Sequence, residues 1–230
     1  MPARRTPTVA LSRERIVTAC LELVEGGGPG ALTFRAIGRR LGVDATAVYR
    51  HFRDKDDLVL ALADRLYEEA LAGFAPSDDW AETLRDVVLR IHRAFAGHPQ
   101  AALLAATRST RREAEFRAIE ILLDALRRAG FGPEEAARYE RVLGDYALAW
   151  AAFTASFAML PKEVREADAS APLVYAAQSL ERYPRLAECA RHLPPVAESQ
   201  FETALEILLT GLRVSSRPPA GAVPDASLTA

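Results

Sequence analysis

The sequence predicts an all-α protein in which a small N-terminal domain of three helices is followed by a larger helical domain. Alanine and leucine dominate the chain, and the runs of Val, Ile and Thr that build strands are missing. Apolar residues instead recur three and four positions apart, which is the spacing of one face of a helix. Hydrophobic residues make up 50% and charged residues 26% of the chain, as is ordinary for a globular protein.

Charge is distributed unevenly between the two predicted domains. Residues 1–55 contain ten Lys and Arg against five Asp and Glu, whereas residues 56–230 contain nineteen against twenty-six. A basic domain on an acidic one is the asymmetry expected when only one end of a protein meets phosphate. We therefore divide the chain into a basic flexible arm (1–11), an N-terminal domain (12–55), a helical domain (56–214) and a disordered tail (215–230).

The N-terminal domain is predicted to begin with a capped amphipathic helix. Ser12 is suited to be its N-cap, and Ile16, Cys20 and Val24 lie on its apolar stripe. The glycine-rich run 26–30 ends this helix.

Residues 32–52, LTFRAIGRRLGVDATAVYRHF, are predicted to form two short helices joined at a glycine. Gly42 stands where the chain needs a left-handed residue, and Asp44 is suited to cap the second helix. The inward apolar positions of the pair are Phe34, Ile37, Leu41, Val48 and Phe52. The outward face of the second helix carries small side chains, which a helix needs in order to enter the DNA major groove. An ordinary surface helical hairpin would have the same pattern.

The helical domain is predicted to open with a long helix from Asp54 to Phe74 that connects it to the N-terminal domain. Breaks at 76–79, 98–99, 108–112 and 130–133 separate the helices that follow, which cover residues 80–97, 100–107, 113–129 and 133–160. A polar connection over 161–172, an interrupted helix over 173–191 and a last helix from Pro194 complete the domain.

Residues 12–55 resemble the DNA-binding domain of tetracycline-repressor-type (TetR family) transcriptional regulators. The resemblance rests on the leading helix SRERIVTACLELVEGGG, the segments LTFRAIGRRLGV and AVYRHFRDKDDL, and the long helix that follows. It is close over this domain and loose over the rest, so it is specific for the family but not for a ligand. It implies a homodimer that binds palindromic operator DNA and is released by a small inducer.

Chemistry and the resemblance together indicate how the helix pair would contact DNA. Thr33 opens the first helix, where its hydroxyl and the helix amides suit phosphate. Arg35 is placed to reach a base edge, since a guanidinium paired with guanine is the commonest specific contact. The methyl groups of Thr46 and Ala47 would contact thymine, and Ala45 leaves room for the DNA backbone.

Further DNA contacts follow from the end of the second helix. The resemblance places Tyr49, His51 and Lys55 at phosphates, and Arg50 at either a guanine or a phosphate. The adjacent pair Arg39–Arg40 is interpreted as solvated helix charge rather than as part of the interface.

The resemblance also implies that the last two long helices of two subunits pair into a four-helix bundle. The residues predicted to form this dimer interface are Phe157, Phe201, Leu205, Leu208 and Leu212. Alternatively, these side chains belong to the core of one subunit. A twofold dimer would present its recognition helices one DNA turn apart, about 34–36 Å.

A ligand pocket is expected inside the helical domain, although plain core packing would use the same residues. Those predicted to line it are Leu66, Ile91, His92, Phe95, Leu103, Leu104, Thr107, Phe116, Leu123, Tyr146, Trp150 and Phe153. Leu71 and Leu104 stand where tetracycline repressors have the histidines that touch drug and magnesium. We therefore expect no tetracycline–metal complex, no cofactor and no metal, and instead a small, mostly apolar organic inducer.

The sequence carries no pattern typical of an enzyme. Its four histidines share no i, i+4 spacing, and neither an H-E-x-x-H motif nor a nucleophile elbow is present. Cys20 and Cys189 form no C-x-x-C pair, so Cys20 is interpreted as a buried hydrophobe, with a redox sensor as the alternative. No signal peptide or membrane span is recognised, which predicts a cytoplasmic protein. A constitutive DNA-binding or scaffold protein without a ligand, and an enzyme built on the helical domain, remain the alternative functions.

Overall fold

The computed structural model describes residues 10–195 and 199–216, and all regular structure in these ranges is helical. The N-terminal domain contains α1 (Arg13–Gly27), a 3₁₀ turn (Pro29–Ala31), α2 (Phe34–Leu41) and α3 (Ala45–Tyr49). The hydroxyl of Ser12 accepts a hydrogen bond from the backbone N–H of Arg15 at 3.2 Å, which confirms the predicted N-cap. Residues 1–9 of the predicted arm (1–11) and residues 217–230 of the predicted tail (215–230) lie outside the described residues.

The helical domain follows the predicted order of helices. It contains α4 (Lys55–Leu71), α5 (Trp80–Ala96), α6 (Pro99–Ala105), α7 (Glu113–Arg128), α8 (Pro133–Ala158), α9 (Lys162–Ala169), α10 (Ala171–Ala176), α11 (Pro184–Cys189), a 3₁₀ turn (Ala190–His192) and α12 (Phe201–Ser215). The ends of α4 to α8 fall within a few residues of those predicted, because glycines, prolines and capping side chains mark them.

One continuous apolar core runs through both domains. Its N-terminal part surrounds Phe52, and its larger part surrounds Phe95 on α5, which packs against α4, α7 and α8. Helix α4 packs against α1 on one side and against α5, α6 and α7 on the other. The N-terminal domain is therefore fixed to the helical domain through α4 and does not hang on a flexible linker.

The segment between α8 and α12 differs from the prediction. The predicted polar connection over 161–172 contains α9 and the start of α10, and α9 is supported by an i, i+4 ion pair between Lys162 and Glu166 at 3.5 Å. The predicted interruption of the helix over 173–191 is confirmed, because α10 ends at Ala176 and α11 begins at Pro184. Helix α12 begins at Phe201 rather than at Pro194. Large apolar side chains of this segment stay exposed, Leu173 by 76% for example.

Within the described ranges, no single helix is long and apolar enough to cross a membrane. The pair Pro133–Ala158 and Lys162–Ala176 meets that requirement only together, and it bends by 115° at its break.

Candidate nucleic-acid interface and ligand cavity

The turn between α2 and α3 has the conformation that its sequence predicts. Gly42 adopts φ 69° and ψ 31°, in the left-handed region that glycine enters without steric cost. The carboxylate of Asp44 accepts a hydrogen bond from the backbone N–H of Thr46 at 2.8 Å and so caps α3. This backbone hydrogen bond, more than any other contact, lowers the pKa of Asp44, and the cap stays ionised at neutral pH.

A glycine inside α2 lets the two helices approach closely. A Cβ added to Gly38 would lie 2.8 Å from the backbone oxygen of Val43 and 3.2 Å from the backbone nitrogen of Ala45. The backbone N–H of Val43 also donates to the Gly38 carbonyl at 2.9 Å. We did not predict this role for Gly38, although a glycine in the middle of a helix and an alanine at the start of the next are its signal.

Helix α3 is held by one buried face and one aromatic stack. Val48 is fully buried and Phe52 is 1% exposed, as predicted from their spacing. The ring of Tyr49 stacks on Phe34 with centroids 3.8 Å apart and an interplanar angle of 2°, while the Tyr49 side chain stays 55% exposed. The stack orients the phenol on the outer surface, where its hydroxyl is available for an external contact.

Exposed cations surround α3, and they differ in how they are engaged. Arg35 and Arg50 are exposed and form no ion pair with any described residue, so their guanidinium groups are free to bind an external partner. Arg40 instead pairs with the Glu22 carboxylate at 2.6 Å. Lys55 donates to the backbone oxygen of Pro29 at 3.4 Å, although it remains exposed.

The remaining predicted contact residues belong to α2 and α3 or flank them. Thr33 caps α2, its hydroxyl accepting from the backbone N–H of Ala36 at 3.2 Å. Thr46 is exposed on α3, whereas Ala47 is half-buried. The backbone oxygen of His51 accepts a hydrogen bond from the Arg13 guanidinium.

A buried carboxylate joins the two domains at the start of α4. Asp57 is 7% exposed, and Oδ1 accepts a hydrogen bond from Nη2 of Arg112, in the α6–α7 connection, at 2.5 Å. Nη2 of Arg13, at the start of α1, lies 3.5 Å from the same oxygen, and the backbone N–H of Arg53 donates to Oδ2 at 3.2 Å. Burial works against ionisation, but these hydrogen bonds and charges outweigh it and lower the pKa of Asp57. We call Arg13, Asp57 and Arg112 the domain latch.

A second buried carboxylate shapes the connection that carries Arg112. Glu115 is 6% exposed and accepts hydrogen bonds from the backbone N–H of Arg111 at 2.6 Å and from the Thr110 hydroxyl at 3.2 Å. These bonds hold Arg111 at φ 54°, which is unfavourable for a residue other than glycine. The connection therefore has a fixed shape.

A cavity of about 510 Å³ lies between α4, α7, α8 and the α6–α7 connection. Its polar lining residues are Tyr67, Thr107, Arg108, Ser109, Glu115, Glu140, Arg141 and Asp145. Its other lining residues are Ala106, Ile119, Gly144, Leu148, Ala149 and Ala152. Because Arg108 and Glu115 belong to this lining, the cavity touches the segment that supplies Arg112 to the domain latch. The lining is far more polar than we expected.

The predicted pocket residues are mostly placed elsewhere, and Thr107 alone of that set lines this cavity. Six are core residues, because their helical stripes face neighbouring helices. Leu66, Ile91 and Phe95 are fully or almost fully buried, and Leu103, Leu104 and Leu123 are partly buried and pack against the same core. Phe116 and Phe153 lie on the surface, 52% and 56% exposed.

The other three predicted pocket residues, His92, Tyr146 and Trp150, instead form an aromatic cluster with Phe201 that attaches α12. His92 stacks on Phe201 with centroids 3.7 Å apart, and burial lowers the pKa of His92. The hydroxyl of Tyr146 donates to the backbone oxygen of Phe201 at 2.5 Å, and burial raises the pKa of Tyr146 to about 12. Trp150 packs edge-on against the same phenyl ring at 6.1 Å.

This cluster corrects the predicted dimer interface. Phe201, Leu205 and Leu212 are 2%, 1% and 9% exposed, because the stripe they form packs against α5 and α8 of the same chain. Leu208 and Phe157 are partly buried. Phe201, Leu205 and Leu212 are thus core residues rather than a surface for a second chain, and the interface role of Phe157 and Leu208 stays a prediction.

The opposite face of α12 carries a second stripe that the sequence interpretation missed. Thr203, Ile207, Thr210 and Val214 follow at i, i+4, i+7 and i+11. Ile207 is 69% and Val214 is 83% exposed. Exposed apolar residues at this spacing are typical of a helix that pairs with another one.

Among residues 10–195 and 199–216, no group of three or more His, Cys, Asp or Glu side chains could hold a metal ion. Cys20 is buried and burial raises the pKa of its thiol to about 12, in agreement with a role as a small hydrophobe.

Comparison with known proteins agrees with this architecture. Residues 16–62 match the profile described as bacterial regulatory proteins, tetR family, and residues 73–215 match the tetracyclin repressor-like C-terminal domain. A helix-turn-helix (HTH)-type transcriptional regulator of Saccharopolyspora erythraea is 28% identical over 138 residues, which are 60% of this chain and 58% of that protein. The chain spans 35% to 58% of the length of the first curated relatives it matches.

Two further similarities cover more of the chain. The tetracycline repressor protein class C of Escherichia coli is 31% identical over 162 residues, which are 69% of each protein. The crystal structure of the Streptomyces coelicolor TetR family protein ActR in complex with actinorhodin has the same fold, with a TM-score of 0.78 and 22% identity over 90% of this chain and 98% of that one. From these matches and the helix-turn-helix geometry, the chain belongs to the TetR family of bacterial regulatory proteins.

Proposed function

We propose that this protein is a cytoplasmic transcriptional repressor that binds a palindromic operator as a homodimer and leaves it when a small organic molecule fills the cavity. The observation that carries the DNA-binding part is the exposed surface of α3 and its surroundings. Thr46 and Tyr49 project from a helix whose packing is fixed, and the guanidinium groups of Arg35 and Arg50 have no partner among the described residues. Phosphates and base edges are the partners that such a surface suits.

The dimer would form through the outer faces of α8 and α12. In the stripe Thr203, Ile207, Thr210 and Val214, the exposed side chains of Ile207 and Val214 supply an apolar surface on α12, and Phe153 supplies one on α8. A twofold axis between two such pairs of helices would present both copies of α3 to the two halves of a palindrome.

The cavity supports regulation by a ligand over constitutive DNA binding. Its volume of about 510 Å³ lies above the roughly 300 Å³ at which ligand pockets begin. A ligand changes operator affinity only through its different affinities for the bound and free conformations. Since the cavity touches Arg108 and Glu115, occupancy would act on the domain latch and so on α4. We assign the cavity to binding rather than catalysis, and recovery of an unchanged ligand after incubation tests this.

The DNA-binding proposal is tested with the genomic fragments that the protein itself selects. Fluorescence anisotropy on the selected duplex should give two chains per site and an affinity that falls steeply as salt is raised. Arg35→Ala should cost about 1–3 kcal/mol if Arg35 pairs with guanine, and Tyr49→Ala should weaken binding less selectively. Arg117→Ala removes an exposed charge from α7 and serves as the control. A monomer whose DNA binding ignores both sequence and salt would refute the proposal.

A further inference from the structure

We infer that the cavity between α4, α7 and α8 takes an organic ligand that carries a protonated amine, with Glu140 as the counter-ion and the Tyr67 hydroxyl as a second contact. This inference rests on the proposed function, because it names the ligand class of the same cavity.

Three carboxylates line the cavity, and they differ in how they are satisfied. Glu115 accepts several hydrogen bonds, including one from the backbone N–H of Arg111 at 2.6 Å. Asp145 accepts from Nε of Arg141 at 2.7 Å. Glu140 is half-buried and forms no hydrogen bond or ion pair with any described residue. Its carboxylate is therefore the negative group in this lining that lacks a direct partner.

Tyr67 gives an independent indication of a ligand. The residue is 7% exposed, and its ring packs edge-on against Phe95 with centroids 5.4 Å apart. No residue in the described part of the chain hydrogen-bonds its hydroxyl, and the residue lines the cavity. Although the side chain is more than nine-tenths buried, its hydroxyl oxygen is not sealed from solvent, so the hydroxyl opens onto the cavity without a protein partner. A ligand N–H group would donate to it there.

The electrostatics of the lining favour a cation over an anion or a neutral molecule. Burial raises the pKa of Glu140, and although Arg141 opposes this, Asp145 and Glu115 add to it. A desolvated carboxylate is stabilised by a proton or by an adjacent cation. The cavity's arginines are already engaged, Arg141 with Asp145 and Arg108 with Asp56 at 2.5 Å.

An organic cation fits the cavity better than a metal ion. No group of three potential metal-binding side chains occurs in the described residues, so no metal would gain enough ligands here. Ile119, Leu148 and Ala152 supply apolar surface for the body of an organic molecule. The volume of about 510 Å³ leaves room for such a body.

Three probes of nearly the same shape test the inference: naphthylethylamine, naphthylethanol and naphthylacetate. Titration calorimetry at neutral pH should show the amine binding at least about tenfold more tightly than the alcohol, and the acid binding most weakly. Glu140→Gln keeps the shape but removes the charge, so the preference for the amine should fall below about twofold. Tyr67→Phe should weaken amine binding several-fold and keep the preference. Glu134→Gln, exposed on the same helix and paired with Arg138 at 3.1 Å, should behave as wild type.

The inference is overturned if the wild-type protein binds the amine no more tightly than the alcohol, if it binds none of the probes, or if the preference survives Glu140→Gln. Operator affinity measured on the same samples reports the proposed function separately. A protein that binds its operator but shows no amine preference would retain the proposed function and lose this inference.

Discussion

Removing Arg112 should loosen the connection between the two domains by a measurable amount. Arg112→Ala takes from the Asp57 carboxylate a hydrogen bond of 2.5 Å and leaves the Arg53 N–H at 3.2 Å and the Arg13 guanidinium at 3.5 Å. Removing one partner of a fully buried pair costs about 3–5 kcal/mol, and removing an exposed pair costs about 0–1 kcal/mol. The Arg112 side chain is 26% exposed and two partners remain. We therefore expect a loss of about 2 kcal/mol in the free energy of unfolding.

The measurement is urea unfolding followed by circular dichroism at neutral pH. All variants are compared at one protein concentration, because the stability of the proposed dimer would depend on it. Arg117→Ala controls for the loss of a charge on the surface of α7. Asp57→Asn combined with Arg112→Ala gives the coupling energy of the pair, expected at about 1–2 kcal/mol. The reasoning would be refuted if Arg112→Ala lowered the free energy of unfolding by less than about 0.5 kcal/mol, or if the effects of the two single substitutions added up to that of the double variant.

The same pair should give a defined dependence on pH. The folded-state pKa of Asp57 is lowered, so its ionisation stabilises the fold at any pH above the unfolded value of about 3.9. That contribution is lost as the pH falls through the folded pKa. The difference in the free energy of unfolding between wild type and Arg112→Ala should therefore be largest at neutral pH and become smaller below about pH 4. A difference that stayed constant into acid would show that lost packing, rather than charge, causes the effect.

Two further substitutions test other contacts. Gly38→Ala places a methyl group 2.8 Å from the backbone oxygen of Val43, so it should lower the free energy of unfolding by about 1–3 kcal/mol and weaken operator binding. Gly26→Ala is the control, because no atom lies within 4 Å of its added Cβ, and it should be nearly neutral. Thermal unfolding and anisotropy measure both, and equal effects would contradict the close-approach argument. Ile207→Glu puts a charge on the outer stripe of α12 and should convert the dimer to a monomer in sedimentation velocity. Leu173→Glu, at a residue that is 76% exposed on α10, should remain dimeric, and a dimeric Ile207→Glu would locate the interface elsewhere.

The N-terminal domain could be predicted almost completely from the sequence because its signals are local. Ser12, Asp44 and Gly42 each mark a helix end within three residues of the group they satisfy. The spacing of Val48 and Phe52 then fixes which face of the second helix is buried. What escaped was Gly38, whose role depends on how closely a second helix approaches.

The cavity could not be predicted because its lining converges from helices far apart in the chain. Tyr67, Glu115 and Glu140 belong to α4, α7 and α8 respectively, and no local pattern relates them. Helical periodicity identifies residues such as Phe95 as buried, but it does not distinguish a cavity wall from a sealed core. The same limit explains why we assigned Phe201 to a dimer interface. Helix α12 has one apolar stripe that packs in the core of its own chain and a second that is exposed, and periodicity alone does not tell them apart.

Helix α4 contributes to both parts of the apolar core, and its length gives small movements a large effect. Its 17 residues extend about 25 Å. A tilt of about 5° pivoting at the cavity end would carry the N-terminal domain sideways by about 2 Å, and a symmetric partner would double the change in separation. The two copies of α3 must lie one DNA turn apart, about 34–36 Å. A change of about 4 Å in their separation is larger than the length of a hydrogen bond, about 3 Å, so contacts to the bases would break. A ligand that moves a few side chains by a fraction of an ångström could therefore release both N-terminal domains of a dimer from DNA at once.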